Sequence, residues 1–126
     1  MLENRVFLGV LTTLGLTLSS LEADSLGSLL FHGNCITCHE EVKAVSAPSV
    51  MEFRENYLRA FPQKKDFIEY MSKWVEHPDE QKSIMQNAIK KYDLMPELAF
   101  EKSTLELISE YIYETDFSKV HEGHEE

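Results

Sequence analysis

Apolar residues recur along this chain at intervals of three and four, the spacing that gathers them on one face of an α-helix. Leu26, Leu29 and Leu30 suggest a short helix over residues 25–31. Val50, Phe53, Tyr57, Leu58 and Phe61 predict a second, entered through a Ser49/Glu52 capping box and stopped at Pro62. Phe67, Ile68, Met71, Trp74 and Val75 predict a third over 65–76. His77-Pro78 ends it, because a residue before proline is pushed out of helical conformation. Ile84, Met85, Ala88, Ile89 and Tyr92 predict a fourth over 80–92, and the Pro96-bearing segment 93–102 reads as a loop. A second capping box, Ser103 with Glu106, opens a last helix to about residue 115 with Leu105, Ile108, Tyr111 and Ile112 inward. Strand-like alternation is missing, so the expected fold class is all-α.

The first stretch departs from this amphipathic pattern. Residues 6–18 are continuously apolar apart from threonines and glycines, follow a short segment carrying Arg5, and are too few for a comfortable membrane span. We therefore expect an export signal over residues 1–23, cleaved after Ser20 or Ala23; an uncleaved anchor is the alternative. A soluble domain over 24–118 and a polar, acidic tail over 119–126 would follow, in the periplasm of a bacterium. No stable membrane insertion is expected after cleavage.

The 126 residues suit one domain, and 43% hydrophobic with 27% charged residues fits ordinary globular folding. The net charge of −10, from 22 acidic and 12 basic side chains, argues against nucleic acid, since no basic surface is left to neutralise phosphates. Loss of residues 1–23 removes Arg5, Glu3 and Glu22 and leaves −9. Such acidity fits protein partners with a basic docking patch, or serves solubility alone.

The two cysteines change the picture most. They stand in Cys35-Ile36-Thr37-Cys38-His39, the spacing of c-type haem attachment. Two thiols suit the two vinyl groups of one haem, and the histidine that follows offers an imidazole nitrogen to the iron. A thioredoxin-like pair would want a preceding strand, and a zinc site would want further ligands at short spacing. Neither is evident.

With these residues in hand, the chain resembles a class I cytochrome c over most of residues 24–118. Gly27, Phe31 and Cys35, at intervals of four, look like the family's N-terminal helix, whose glycine lets the C-terminal helix cross closely. Ile108 and Tyr111 look like the positions packed there. The resemblance implies that the Pro48 carbonyl accepts a hydrogen bond from His39, and that Met95, in Met95-Pro96, is the distal iron ligand. The middle of the chain is richer in long helices than in mitochondrial members. The segment 90–96 and Tyr111-Ile112-Tyr113 look more like bacterial monohaem variants.

Other sulfurs and imidazoles compete with Met95. Met51, Met71 and Met85 fall on apolar helical stripes, where methionine usually fills the core. His77 is a further alternative, whereas His32 and the terminal His121 and His124 read as solvated. Trp74 is either a donor to a haem propionate, as the resemblance implies, or a core residue. The functional expectation is a single-electron carrier with one haem c and no catalysis of its own. An open or histidine-ligated sixth site would suit a peroxidase or gas sensor instead. A subunit of a larger oxidoreductase is the third reading.

Overall fold

The computed structural model describes residues 19–120. Residues 1–18 of the expected signal, and His121 and His124, lie outside them. The described chain is all-helical: α1 (Ser19–Asn34), α2 (Val50–Ala60), α3 (Lys64–Glu76), α4 (Gln86–Tyr92), α5 (Lys102–Glu114) and α6 (Phe117–Val120). A single 3-10 turn, Glu80–Lys82, precedes α4. None of the described helices is long and apolar enough to cross a membrane.

α5 is the axis of the fold, packing mainly against α1 and α3. Its inward residues Ile108 and Ile112 share one cluster with Phe31 from α1, Val50 and Tyr57 from α2, and Phe67 and Met71 from α3, all buried, and Leu105 is buried as well. Phe31 and Phe67 are each fully inaccessible, and burying a side chain of this size contributes about 1.5–3 kcal/mol. At Gly27 the α1–α5 crossing reaches backbone contact: a Cβ there would sit 2.6 Å from the Leu107 carbonyl oxygen and 2.9 Å from Tyr111 Cβ. Arg54 of α2 clamps the far end of α5, donating from Nε to the Ile112 carbonyl (2.7 Å) and from a terminal nitrogen to that of Tyr113 (2.8 Å). These are carbonyls of the last helical turn, which otherwise lack partners. Lys64, at the start of α3, reaches Glu110 and Glu114 at 2.6 Å each.

The helix starts and stops follow local chemistry. Ser49 caps α2, its Oγ accepting from the Glu52 amide at 3.2 Å. His77 ends α3 as expected. Four elements differ from expectation. α1 begins earlier, at Ser19, so both expected cleavage positions fall in its first turns. The helix expected over 80–92 is broken: the Asp79 carboxylate caps the 3-10 turn by accepting from the Gln81 amide at 2.9 Å, and Ser83 Oγ accepts from the Met85 amide at 3.0 Å. Those local bonds compete with helix propagation, and α4 starts only at Gln86. The Ser103/Glu106 capping box is also absent. Glu101 is the N-cap of α5, Ser103 lies inside the first turn, and Glu106 pairs with Lys102 one turn back at 3.7 Å. Finally, α6 straddles the expected start of the polar tail, because Phe117 is 1% exposed and packs on Phe31 and Tyr111.

Candidate functional site

Between α1, α2, α3, α5 and the segments around α4 lies a cleft. Its walls are apolar, with Phe53, Val75, Ile89, Leu98 and Phe100 among them. Cys35, His39, Pro48, Trp74, Met85 and Met95, spread over sixty residues of sequence, all line it.

The floor of the cleft is set by the backbone. α1 ends as the Cys35 amide bonds to the Phe31 carbonyl at 2.8 Å. The chain then turns tightly, with the amides of Cys38 and His39 both reaching the Cys35 carbonyl at 3.2 and 2.9 Å. Beyond His39, the first two amides of α2 find acceptors in this same segment: Val50 donates to the Glu40 carbonyl at 2.9 Å and Met51 to that of Glu41 at 3.0 Å. These are amides that a helix start cannot satisfy internally. Used this way, they close the 40–50 loop and fix it beside the motif.

His39 is held within that frame. Its Nδ1 lies 2.8 Å from the Pro48 carbonyl oxygen. A carbonyl can only accept, so Nδ1 carries the proton, and in the neutral ring Nε2 is left with a lone pair. Burial pulls the His39 pKa below its usual value of 6.5, against the smaller opposing effect of the Pro48 bond. The neutral imidazole, the form that ligates metals, is therefore favoured. Phe53 meets the ring edge to face, with centroids 5.1 Å apart and planes at 86°.

The two thiols differ. Cys35 is half-buried, and burial, with Cys38 close by, pushes its pKa up to about 11. Cys38 is exposed, and the two are not joined in a disulfide. Among the described residues no three His, Cys, Asp or Glu side chains gather into a cluster able to hold a bare metal ion.

Comparison with protein-family models, curated proteins and solved structures gives no match. The geometry of the site therefore carries the functional reading.

Met95, which also lines the cleft, sits in a stretch, 93–101, with neither helix nor turn. Asp93 (φ 68°) and Ala99 (φ 54°) bracket it in the left-handed region, uncommon for residues with a side chain. Met85 lies in the same cleft but not on a helical stripe: the break before α4 leaves it at the N-cap, with φ −118° and ψ 61°. The reasoning that made it core filler does not hold. Met71 keeps that role, 4% exposed on α3, although it too reaches the cleft wall; Met51 packs half-buried beside the core.

His77 and Trp74 each depart from one reading of them, whereas His32 is exposed as expected. His77 is outside the cleft, 73% exposed and 3.3 Å from the Glu97 carboxylate. His32 pairs with Glu41 at 3.2 Å and its Nδ1 lies 2.8 Å from the Ser28 carbonyl. Trp74 lines the cleft, but its indole N–H already donates to the Asp79 carbonyl at 2.9 Å. Phe53 and Ser109 are cleft residues that the sequence pattern did not single out. Phe53 was legible only as a member of an apolar stripe, and Ser109 lies one position past Ile108 with its hydroxyl turned back to the Leu105 carbonyl at 2.7 Å.

Proposed function

We propose that this chain is a monohaem c-type cytochrome that carries single electrons and has no substrate chemistry of its own. The observation that carries this reading is His39. It directly follows a Cys-x-x-Cys pair, its Nδ1 proton is held by the Pro48 carbonyl, and it lines an apolar cleft that Met85 and Met95 line as well. The residues suit the group: Cys35 and Cys38 would hold it through thioethers, and His39 and Met95 would offer a nitrogen and a sulfur to its iron. Bound haem supplies one-electron exchange between ferric and ferrous iron.

The chain's own residues do the rest. The bond to Pro48 gives His39 one tautomer and makes it a better donor. The apolar walls keep water from the cleft, and a thioether ligand, as a soft donor, raises the potential relative to a second imidazole. The close α1–α5 crossing at Gly27 also fits the class I cytochrome c resemblance. Export through residues 1–23 would deliver the chain to the periplasm. The net charge of −9 left once residues 1–23 are removed suits transient docking to redox proteins with a basic patch. Spectroelectrochemical titration of the purified protein tests the carrier role. A single reversible one-electron wave, with little peroxide turnover or carbon monoxide binding, is the expected result. A high-spin iron that binds carbon monoxide freely would favour a sensor or peroxidase.

A further inference from the structure

The Pro48 carbonyl, just before the Ser49 N-cap, and Phe53, one turn into α2, both touch His39. The hydrogen bond fixes one edge of the imidazole at Nδ1, but carbonyl oxygens accept over a broad range of directions, so this bond alone tolerates rotation of the ring. The Phe53 ring removes that freedom. It stands at 86° to the imidazole with centroids 5.1 Å apart, the edge-to-face arrangement that aromatic rings prefer. Phe53 is itself placed firmly, one turn into a helix whose N-cap is Ser49 and whose first amides are bonded to Glu40 and Glu41. It also lines the same cleft as His39.

We propose that Phe53 is a positioning residue for His39: together with the Pro48 carbonyl it holds the imidazole in one rotamer and one tautomer, before any cofactor is present. The idea builds on the proposed haem function, which assigns His39 to the iron, but the positioning itself is a property of the apoprotein and is tested there. Imidazole nitrogen resonances of His39 in the apoprotein, recorded above its pKa where the ring is neutral, report the tautomer directly. Wild type should show the Nδ1–H form alone. Phe53→Leu, which keeps apolar bulk but loses the ring face, should show a second tautomer or exchange-broadened ring signals. Phe53→Tyr, which restores the ring, should return the single sharp form. Helical circular dichroism unchanged from wild type would show that each variant is folded.

A folded Phe53→Leu apoprotein that retains one sharp Nδ1–H form would overturn the proposal, as would a Phe53→Tyr protein that fails to restore it. In haem-loaded protein the same Leu variant should shift the principal g values of the ferric iron, which follow the plane of the axial imidazole. Whether wild type takes up covalent haem at all decides the functional reading separately, because the tautomer result stands without it.

Discussion

Two stretches that line the cleft, residues 35–51 (the proximal wall) and 85–101 (the distal wall), are built by different means. On the proximal wall, residues 35–51 are fixed by backbone hydrogen bonds, by the Ser49 cap and by the bond between His39 and Pro48. On the distal wall, Met95 sits in a nine-residue stretch without helix or turn, and Met85 in a break between a 3-10 turn and a short helix. One wall is set before anything binds; the other takes its shape from loop residues and from Asp93 and Ala99 in left-handed conformation. For the proposed haem site this division has a consequence: His39 should be a permanent ligand, and Met95 a weaker one open to exchange.

The largest effect should come from breaking the proximal wall chemically. Cys35→Ser or Cys38→Ser should abolish protein carrying haem through two thioethers, read by the mass of the denatured chain. In the apoprotein, iodoacetamide should label exposed Cys38 well before Cys35, whose thiol burial pushes up to about 11. Equal labelling rates would contradict that ordering.

The distal wall should yield more gently. Met95→Ala should remove the weak sulfur-to-iron charge-transfer band of the ferric protein, lower the potential and admit cyanide or carbon monoxide, while covalent haem remains. Met85→Ala is the informative companion, since both sulfurs line the cleft. A band that survives Met95→Ala and disappears in Met85→Ala would transfer the ligand to Met85. Met71→Ala should cost about 2–5 kcal/mol in urea unfolding as a core truncation, while Met51, only half-buried, should cost less.

Much of this division was visible in the sequence. The three-and-four spacing around Phe53 and Tyr57, and around Phe67 and Met71, placed α2 and α3 to within a residue, because packing and local propensity agree there. The break at Ser83–Met85 was hidden. Ile84 and Met85 continue the apolar stripe, and nothing in that stripe says that Ser83 Oγ will capture the Met85 amide. Ser103 and Glu106 had the right spacing for a cap, but helix α5 begins two residues earlier than that box requires. The Arg54 clamp on Ile112 and Tyr113 joins residues 58 and 59 positions apart, beyond the reach of any local pattern. The cleft was legible where one short motif carried it, at Cys35 and His39, while Cys38 of the same motif is exposed and outside the lining. It was not legible at Phe53, whose role depends on the closed 40–50 loop.

A smaller effect should follow at the α1–α5 crossing that leads into the proximal wall. Gly27→Ala would bring a Cβ within 2.6 Å of the Leu107 carbonyl oxygen, and backbone cannot yield as a side chain can. Overpacking of this kind typically costs about 1–3 kcal/mol, measured as a lowered urea midpoint. Gly33→Ala is the matched control, since nothing lies within 4 Å of its added Cβ. It should be neutral or stabilise by about 0.4–1 kcal/mol, through lost freedom of the unfolded chain. Equal costs at the two glycines would remove the close crossing from the account.

The smallest effect is a pH slope in the apoprotein. Burial lowers the His39 pKa below 6.5, so between the two values the unfolded chain binds more protons than the folded one. The stability in question is complete above the unfolded value near 6.5 and declines as pH falls below it towards the folded value. His39→Phe should flatten the stability profile in that window; a slope of the same size in the variant would assign the effect to other groups.

The central claim is that this chain holds one haem covalently through Cys35 and Cys38. The most direct test is to produce it alongside a haem-attachment system that loads a control c-type cytochrome, then denature it in acidified organic solvent and weigh the chain. The account predicts a chain heavier by one haem, with the colour staying in the protein fraction. A chain of unmodified mass, or haem released entirely into the solvent while the control keeps its own, would contradict it.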